Sequence, residues 1–286
     1  MKDTSQISEN RVISGGDFTM KIRLDYFSER LKVEDYRGNV NSIHKQIQRI
    51  SNEHSFAKVI VKSRQEDWMT FLSFGYQLEA LFQRYFNGND AYGMAMFLDN
   101  SRRTSDYWIN EDKTLTQIQE LSRTLDVPNT PNYTIRKAVI ADAVHLAELY
   151  RAVFEIYPTP MNDPSYIQKL IEGDSIFYVA EFEGGIVSAA SADINATYHN
   201  AELTDCATLQ DHRKNGLMKV LIMKLEAELK DRHIFCVYSI ARALSFGMNA
   251  VFHQRHYTYT GRFTKNCNIF NKLEDMNLWV CDLSRR

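Results

Sequence analysis

The segment from Ala201 to Leu229 reads AELTDCATLQDHRKNGLMKVLIMKLEAEL and decides the fold. Residues 201–209 predict a strand, and residues 217–232 predict a long helix, because apolar side chains recur there at helical spacing. A basic turn that contains a glycine joins the two elements. The first amides of such a helix are unpaired and would lie beside Arg213 and Lys214. These donors and the helix dipole favour a bound anion such as phosphate, although an ordinary solvated turn has the same local pattern.

Strands and helices alternate on both sides of this segment. The sequence predicts strands at 133–137, 175–181, 185–193 and 234–240, helices at 141–154, 164–172 and 244–254, and two final strands that end in LWVCDL. The FEGG turn between two of these strands is typical of a hairpin. Together the elements predict an α+β fold, with a mixed sheet covered by helices.

The preceding residues, 21–100, carry a second and smaller α+β pattern. It predicts strands at 21–33, 56–61, 79–86 and 91–97 and helices at 41–53 and 66–73. The NGND turn indicates a hairpin, because Gly and Asn accept a positive φ. The order strand, helix, strand, strand occurs both at 56–98 and at 234–283. A half-domain duplication is therefore one hypothesis.

Four segments follow from this pattern, and the length of 286 residues agrees with roughly two domains. Residues 1–20 are polar and aperiodic, which predicts a flexible N-terminal extension or an edge extension. Residues 21–100 would be the N-terminal α+β domain. Residues 101–131 would be a helical connector and a linker in which prolines stop any regular element. Residues 132–286 would form the main domain.

The composition excludes several classes of protein. Lys and Arg number 34 and Asp and Glu number 36, and the net charge of −2 argues against a general nucleic-acid binder. The longest apolar stretch, residues 92–98, is far shorter than the roughly 20 residues that span a bilayer, and the start MKDTSQISEN has no apolar signal core. We therefore expect a cytoplasmic protein with no membrane partner. The four cysteines form no CxxC pair, so free buried thiols are expected rather than a disulfide framework or a zinc site.

The turn at residues 213–218 resembles the acyl-CoA pyrophosphate loop, R/Q-x-x-G-x-G/A, of the GCN5-related N-acetyltransferase (GNAT) superfamily. Arg213 and Gly216 match the motif, whereas Met218 stands where Gly or Ala is usual and Lys214 stands where a second glycine is common. The elements from Tyr133 to Leu283 resemble the GNAT fold throughout. The resemblance implies a mixed, mostly antiparallel sheet with flanking helices, and the smaller α+β domain before it could be a degenerate GNAT-like half.

The same resemblance implies acetyl-CoA as the cosubstrate and no metal. The backbone of residues 206–209 would pair with the pantetheine arm like an added strand, and the amides of residues 214–219 would hold the pyrophosphate. The cofactor-binding residues expected on this basis are Cys206, Ala207, Thr208, Leu209, Arg213, Lys214, Asn215, Gly216, Leu217, Met218, Lys219 and Phe252.

Acetylation of an alkyl ammonium, whose pKa is about 10.4, needs a base or a water relay to remove a proton. Glu202 is the first candidate, since many members of the superfamily have a glutamate base at this place. Asp205 is the second candidate. Alternation along a strand places these two carboxylates on opposite faces unless a bulge intervenes. A structural carboxylate is the alternative for each.

Departure of the CoA thiolate is usually assisted by a tyrosine in the last helix of a GNAT domain. In the corresponding stretch, SFGMNAVFHQRHY at residues 245–257, this position is Phe252, which cannot donate a proton. Tyr257 or Tyr259 could substitute, or the thiolate could take its proton from water.

Within the superfamily, the chain resembles the β-lysine N-acetyltransferases. The segments that carry this resemblance are YPTP at 157–160, AELTDCATL at 201–209, SIARALSFGMNAVF at 239–252 and EDMNLW at 274–279. It implies acetylation of the ε-amine of (S)-β-lysine, which gives Nε-acetyl-β-lysine, a compatible solute.

A pocket for β-lysine must hold a carboxylate and a β-ammonium at one end. Arg242 is a candidate for the carboxylate, Asp163 or Asp193 for the β-ammonium, and Tyr157 for the aliphatic stem. Each has a plainer interpretation: a solvated arginine, a helix N-cap, a turn at a strand end, and packing beside the prolines, respectively.

Two rival functions stay open from the sequence. The acceptor could be another small amine, such as lysine or a polyamine, since an extended cation fits the same tunnel. Alternatively, the missing tyrosine and the crowded turn could indicate an acyl-CoA-binding protein without turnover. The N-terminal domain could bind a partner, pack on the transferase, or form the surface of a homodimer.

Overall fold

The computed structural model describes residues 8–270 and 272–286, and their strands form a single mixed sheet. The strands are β1 (Ser8–Ser14), β2 (Phe18–Asp25), β3 (Arg30–Gly38), β4 (Lys58–Ser63), β5 (Gln77–Phe86), β6 (Asn89–Phe97), β7 (Thr134–Lys137), β8 (Ser175–Phe182), β9 (Gly185–Asn195), β10 (Asn200–Thr208), β11 (Cys236–Arg242), β12 (Thr258–Ile269) and β13 (Lys272–Asp282). The helices are α1 (Val40–His54), α2 (Trp68–Ser73), α3 (Trp108–Gln119), α4 (Ala143–Val153), α5 (Pro164–Glu172), α6 (Leu217–Asp231) and α7 (Phe246–Gln254).

The sheet has the strand order β1-β2-β3-β4-β6-β5-β12-β13-β11-β10-β9-β8-β7. Neighbours are antiparallel except for two parallel pairs, β3 with β4 and β10 with β11. Each parallel pair is connected through a helix, α1 or α6, as a parallel crossover requires. The α+β fold with a mixed, mostly antiparallel sheet and flanking helices is confirmed.

The two halves of the sheet share one topology. The order β1-β2-β3-β4-β6-β5 matches β8-β9-β10-β11-β13-β12. The match includes the parallel pair of strands and the helix that connects them. The halves join where β5 meets β12 at Ala80 and Gly261. Gly261 has a φ of 145°, and a Cβ there would lie 2.2 Å from the carbonyl oxygen of Glu79. Only glycine allows this close approach of the two edges.

Residues 8–14 form an edge strand, as the edge-extension alternative predicts and the flexible extension does not. Ser8–Ser14 pairs with β2 along its whole length and forms the outer edge of the sheet, whereas residues 1–7 lie outside the described residues. The strand predicted at 21–33 is in fact parts of β2 and β3, joined by a turn in which Ser28 N donates to Asp25 Oδ1 at 2.9 Å. Alternation alone did not reveal this turn, because its aromatic residues continue the strand-like pattern.

The connector packs on the C-terminal half rather than lying free between two domains. Ile118 of α3 is fully buried in the core beneath α6 and α7, and Arg262 of β12 pairs with Glu111 at 3.3 Å and Asp112 at 3.0 Å. Farther along, Thr124 N donates to Gln254 O at 3.1 Å. Residues 122–130 contain no helix or strand, as the prolines predict.

Helices cover both faces of the C-terminal half of the sheet. Successive side chains of its strands point to opposite faces, and apolar side chains are buried on both. Ile176 and Ala180 of β8 face the core beneath α6 and α7, while Phe177 and Val179 face the core beneath α4 and α5. These two cores hold the central strands β9 and β10 in place. Among the described residues, no helix is long and apolar enough to cross a membrane.

The N-terminal half differs from the C-terminal half at its parallel pair. Residues Arg30–Val33 of β3 pair with Lys58–Val61 of β4, and beyond this contact the two strands separate. The buried side chain of Tyr36 reaches across this gap. Its hydroxyl donates to Asp67 Oδ2 at 2.8 Å, lies 3.3 Å from Ser63 Oγ and accepts from Arg64 N at 3.1 Å. The gap between β3 and β4 is therefore filled by protein.

Candidate active site

The strands β10 and β11 separate beyond their short parallel contact and leave a cavity between them. Only residues Asn200–Glu202 of β10 pair with β11, where their partners are Cys236–Tyr238. A cavity of about 100 Å³, which we call the wedge cavity, opens beyond that point. Its walls include Leu203, Thr204, Asp205 and Cys206 of β10, Ser239, Ile240, Ala241 and Arg242 of β11, and Ser245, Met248 and Phe252 at or in α7. Backbone groups of both strands are open to an extended ligand here, since they no longer pair with each other.

A β-bulge at Asp205 interrupts β10 beside this cavity. The register with β9 shifts between Thr204 and Ala207, and Asp205 has a φ of 48°. Tyr150 Oη donates to Asp205 O at 2.7 Å, so the carbonyl displaced by the bulge is still satisfied. Because of the bulge, Glu202, Thr204 and Asp205 all line one cavity, which strict alternation forbids.

That second cavity, which we call the polar cavity, has a volume of about 190 Å³ and lies between the two halves of the sheet. The C-terminal half contributes the carboxylates of Asp193, Glu202 and Asp205. The two cavities share the lining residues Tyr157, Thr204, Asp205, Ile240, Ile269 and Met276. Of the carboxylates, Asp205 lies at the junction of the two cavities.

Two hydroxyls hold the carboxylate of Asp205 in place. Ser191 Oγ donates to Oδ2 at 2.7 Å, and Tyr157 Oη donates to Oδ1 at 3.2 Å. Burial raises the pKa of Asp205 to about 7, and the nearby negative charges of Asp193 and Glu202 act in the same direction. A carboxylate with a pKa near neutrality can accept a proton and release it again at physiological pH.

Glu202 faces the polar cavity without a hydrogen-bond or ion-pair partner among the described residues. Burial raises its pKa, while the charges of Lys32 and Lys62 act against that rise. Directly across the β9–β10 pair lies Asp193, whose Oδ1 accepts from Ser175 Oγ at 2.6 Å and whose pKa is also raised by burial. Neighbouring carboxylates of this kind favour a bound cation.

The structure brings some of the sequence-predicted acceptor residues together and separates others. Tyr157 and Asp193 line the polar cavity. Asp163 is instead the exposed N-cap of α5 and accepts from Ser165 N at 2.9 Å. Arg242 lines the wedge cavity only, where it pairs with Glu274 at 3.5 Å and lies 4.9 Å from the ring centre of Phe270. Asp163 and Arg242 therefore lie outside the lining of the polar cavity.

The turn before α6 keeps the features from which the sequence predicts an anion site. Lys214 and Gly216 both adopt positive φ angles, 66° and 75°. The first helical bond of α6 runs from Val220 N to Gly216 O, so the preceding amides of that turn are outside the helix ladder. Arg213 Nε donates to Thr208 O at 3.2 Å, which ties the basic turn to the end of β10. Pro128 of the linker packs against Gly216, where an added Cβ would meet it at 2.7 Å.

Phe252 lines the wedge cavity and is fully buried. Its ring lies 5.1 Å from that of Tyr257, and burial raises the pKa of Tyr257 well above its ordinary value. Neither Tyr257 nor Tyr259 lines the wedge or the polar cavity.

Sequence reasoning missed the cations of the polar cavity. Arg23, Arg30, Lys32 and Lys62 all line it, and all four come from β2, β3 and β4 of the N-terminal half. The available signal was charged residues within otherwise apolar strands, for example Lys62 in KVIVKS. Buried charges of this kind require partners, which places them at an interface or a site.

These features define an acetyltransferase of the GNAT class. Residues 143–254 match the model of the acetyltransferase (GNAT) family. The chain is 36% identical to N-acetyltransferase YodP of Bacillus subtilis, over 95% of this chain and 98% of that protein. It is 33% identical to the β-lysine N(6)-acetyltransferase of Methanosarcina mazei, over 86% of this chain and 98% of that protein. It is 30% identical to the β-lysine N(6)-acetyltransferase of Methanococcus maripaludis, over 90% and 94%, respectively. The chain belongs to the GNAT family and is an N-acetyltransferase that acts on an amine.

Proposed function

We propose that the protein transfers the acetyl group of acetyl-CoA to the ε-amine of (S)-β-lysine and releases Nε-acetyl-β-lysine and CoA. The observation that carries this proposal is the junction at Asp205 between a strand-walled cavity and a cavity rich in carboxylates. The names of two relatives, at 33% and 30% identity, support β-lysine as the acceptor.

Acetyl-CoA fits the wedge cavity and the turn beside it. The backbone of β10 at residues 206–208, where Thr208 O already accepts from Arg213 Nε, would pair with the pantetheine arm. The amides of residues 214–219, together with the positive charge of Arg213 and Lys214, would hold the pyrophosphate. In this arrangement the thioester would lie near Asp205, where the two cavities meet.

The acceptor amine lies between Glu202 and Asp205 in this proposal. The carboxylate of Glu202, which has no hydrogen-bond or ion-pair partner in the described part of the chain, binds the ε-ammonium, and Asp205 takes its proton. The neutral nitrogen then forms the bond to the acyl carbon as the carbon–sulfur bond breaks, and the second proton of the nitrogen passes through water to the departing thiolate. Sequence reasoning put Glu202 first as the base, but the position of Asp205 at the junction favours Asp205 for that role.

Other residues have simpler roles. Asp193 is placed to bind the β-ammonium, and Tyr157 to line the aliphatic stem and fix Asp205. Since the hydroxyls of Tyr257 and Tyr259 lie outside both cavities, the CoA thiolate takes its proton from water. Arg242 and Asp163 have no part in acceptor binding in this proposal.

The experiment is to follow the release of CoA thiol from acetyl-CoA with β-lysine, α-lysine, spermidine or no acceptor. We expect fast release with β-lysine and slow release with the other acceptors, and a large loss of rate in Asp205→Asn. Equal rates with spermidine or α-lysine would contradict β-lysine as the acceptor. An Asp205→Asn variant as fast as the wild type would contradict the assignment of the base.

A further inference from the structure

Charges of opposite sign are segregated across the polar cavity. Its cations, Arg23, Arg30, Lys32 and Lys62, come from the N-terminal half, whereas Asp193, Glu202 and Asp205 come from the C-terminal half. The remaining lining carboxylate, Asp25, belongs to the N-terminal half and pairs with Arg30 at 2.7 Å. A ligand in this cavity therefore meets positive charge from one half of the sheet and negative charge from the other.

Two of the four cations already have their donors in use. Arg30 donates to Asp25 Oδ2 at 2.7 Å and to Asn266 O at 2.8 Å. Lys62 donates to Glu34 Oε2 at 2.5 Å and to Tyr85 Oη at 3.0 Å. The bond from Arg30 to Asn266 O joins the two halves of the sheet, and together these contacts leave little capacity for a ligand.

Arg23 and Lys32 keep most of their donors. Arg23 donates to Ser8 Oγ at 3.1 Å, and no carboxylate of the described residues lies within ion-pair distance of it. Lys32 pairs with Glu34 at 3.0 Å, and Glu34 is shared with Lys62. Two lysines on one glutamate leave a net positive charge at this wall. A guanidinium has five N–H donors and an ammonium has three, so both side chains can bind a carboxylate.

The surroundings of these cations agree with such a ligand. Burial lowers the pKa of Lys32, with further lowering by the charges of Arg30, Lys62 and Arg23. An anion placed between Arg23 and Lys32 relieves this repulsion. The charge of Arg23 also acts on Asp193, so a cation site and an anion site lie side by side. A carboxylate and an ammonium a few bonds apart match that pair.

We propose that the N-terminal half supplies the carboxylate-binding end of the acceptor site, with Arg23 and Lys32 as the residues that determine specificity for an amino acid over a simple amine. This inference rests on the proposed function only for the identity of the amino acid. The ligand expected at this end of the site is a carboxylate that carries a distal alkyl ammonium.

The test compares ligands that differ only in the carboxylate. Substrates are β-lysine and pentane-1,4-diamine, which is β-lysine without its carboxyl group. Binding probes are 6-aminohexanoate and hexylamine, measured by calorimetry without turnover. Proteins are the wild type, Arg23→Gln, Lys32→Met, the conservative Lys32→Arg, and Lys21→Met as a matched control, because Lys21 is exposed on β2 and lines neither cavity.

We expect the KM for β-lysine to rise by about 10- to 100-fold in Arg23→Gln and Lys32→Met, because each loses a charge-assisted hydrogen bond. The KM for the diamine should change little, and the affinity for acetyl-CoA should stay at the wild-type value. Lys32→Arg should retain most of the preference for β-lysine, and Lys21→Met should behave as the wild type. A variant that is partly unfolded would also bind acetyl-CoA more weakly, so this affinity is the control for folding. If Lys32→Met does not fold, Arg23→Gln tests the inference independently.

Three results would overturn the inference. One is wild-type protein that binds 6-aminohexanoate no better than hexylamine. Another is a ratio of kcat/KM between β-lysine and the diamine that is unchanged in both variants. A third is an equal effect of Lys21→Met. A different result would separate the two proposals. If the wild type acetylates α-lysine but not β-lysine, and Arg23→Gln and Lys32→Met raise the KM for α-lysine more than the KM for the diamine, the proposed acceptor is contradicted and the inference is supported.

Discussion

Tyr157 donates a hydrogen bond of 3.2 Å to Asp205 Oδ1, so the YPTP loop and the bulge of β10 meet at one carboxylate. Ser191 binds the other oxygen of the same group at 2.7 Å. Both donors favour the ionised form, whereas burial favours the protonated form. The balance leaves the pKa of Asp205 at about 7, which suits a base that works near neutrality.

Substitution of Asp205 by Asn should remove the acidic limb of the pH profile. In the wild type, a base with a pKa of about 7 must be ionised, so kcat/KM should fall as the pH falls through that value. Asn keeps the size of the side chain and accepts the positive φ of this position, so the bulge should persist. We expect kcat to drop by about 100-fold or more, with unchanged affinity for acetyl-CoA. A pH profile that keeps its acidic limb in the variant would contradict this role.

The variant Tyr157→Phe should move the same limb to higher pH. It deletes a hydrogen bond that stabilises the carboxylate, so the pKa of Asp205 should rise. We expect a modest loss of kcat at neutral pH and recovery at higher pH. Tyr166→Phe is the control, since Tyr166 lines the same cavity without a hydrogen bond to Asp205. The prediction fails if both variants give the same profile.

Glu202→Gln should weaken binding of the amine more than it slows the chemistry. The carboxylate faces the polar cavity unpaired, so its loss removes a charged contact to the ε-ammonium. We expect the KM for the amine to rise by about tenfold or more, because such contacts contribute roughly 1.5–3 kcal/mol. Steady-state kinetics with varied amine and saturating acetyl-CoA measure this change. A fall in kcat that equals that of Asp205→Asn would indicate that Glu202 is the base instead.

Gly216→Ala should impair the binding of acetyl-CoA. The residue has a φ of 75°, and an added Cβ would meet Pro128 at 2.7 Å, so both the turn and the linker must shift. We expect the KM for acetyl-CoA to rise by roughly tenfold. Gly184→Ala is a matched control, because Gly184 has a φ of 82° and, its chain neighbours aside, no atom of residues 8–270 or 272–286 lies within 4 Å of the added Cβ. An equal KM effect in both variants would show that general destabilisation is the cause.

Lys58→Met should destabilise the junction between the halves. Lys58 is fully buried, pairs with Glu79 at 2.7 Å and donates to Thr264 O at 2.7 Å. Its removal leaves a buried glutamate without its cation, which costs about 3–5 kcal/mol of the free energy of unfolding. The midpoint of urea unfolding should fall accordingly. The double variant Lys58→Met/Glu79→Gln should recover part of the lost stability. If it does not, the unpaired charge of Glu79 is not the cause of the loss.

Local patterns predicted most of the fold. The segment 201–229 indicated strand, turn and helix, and β10 (Asn200–Thr208) and α6 (Leu217–Asp231) lie within a residue or two of those bounds. The NGND hairpin is also present, with positive φ at Asn87 and Gly88. These elements depend on short-range periodicity and turn chemistry, which a single sequence displays directly.

The candidate site depends on long-range geometry, which the sequence displays poorly. The possibility of a bulge at Asp205 was evident, but its presence depends on Tyr150, which is distant in sequence and binds the displaced carbonyl. Arg23 and Lys32 have the pattern of ordinary strand residues, since nothing local places them in one cavity with Glu202. The sequence alone makes Arg242 a candidate for binding a carboxylate, but Glu274 and the ring of Phe270 already lie beside its guanidinium.

The side chain of Tyr36 determines how the two similar halves divide their work. In the C-terminal half the diverging strands leave a gap that can admit an acyl carrier, whereas in the N-terminal half Tyr36 bridges the equivalent gap to Ser63 and the Arg64 amide. Among the described residues, the second copy of the topology therefore leaves no equivalent gap between its parallel strands. We expect the chain to bind acetyl-CoA with a stoichiometry of one, so that the repeated topology would serve only the acceptor side of a single reaction.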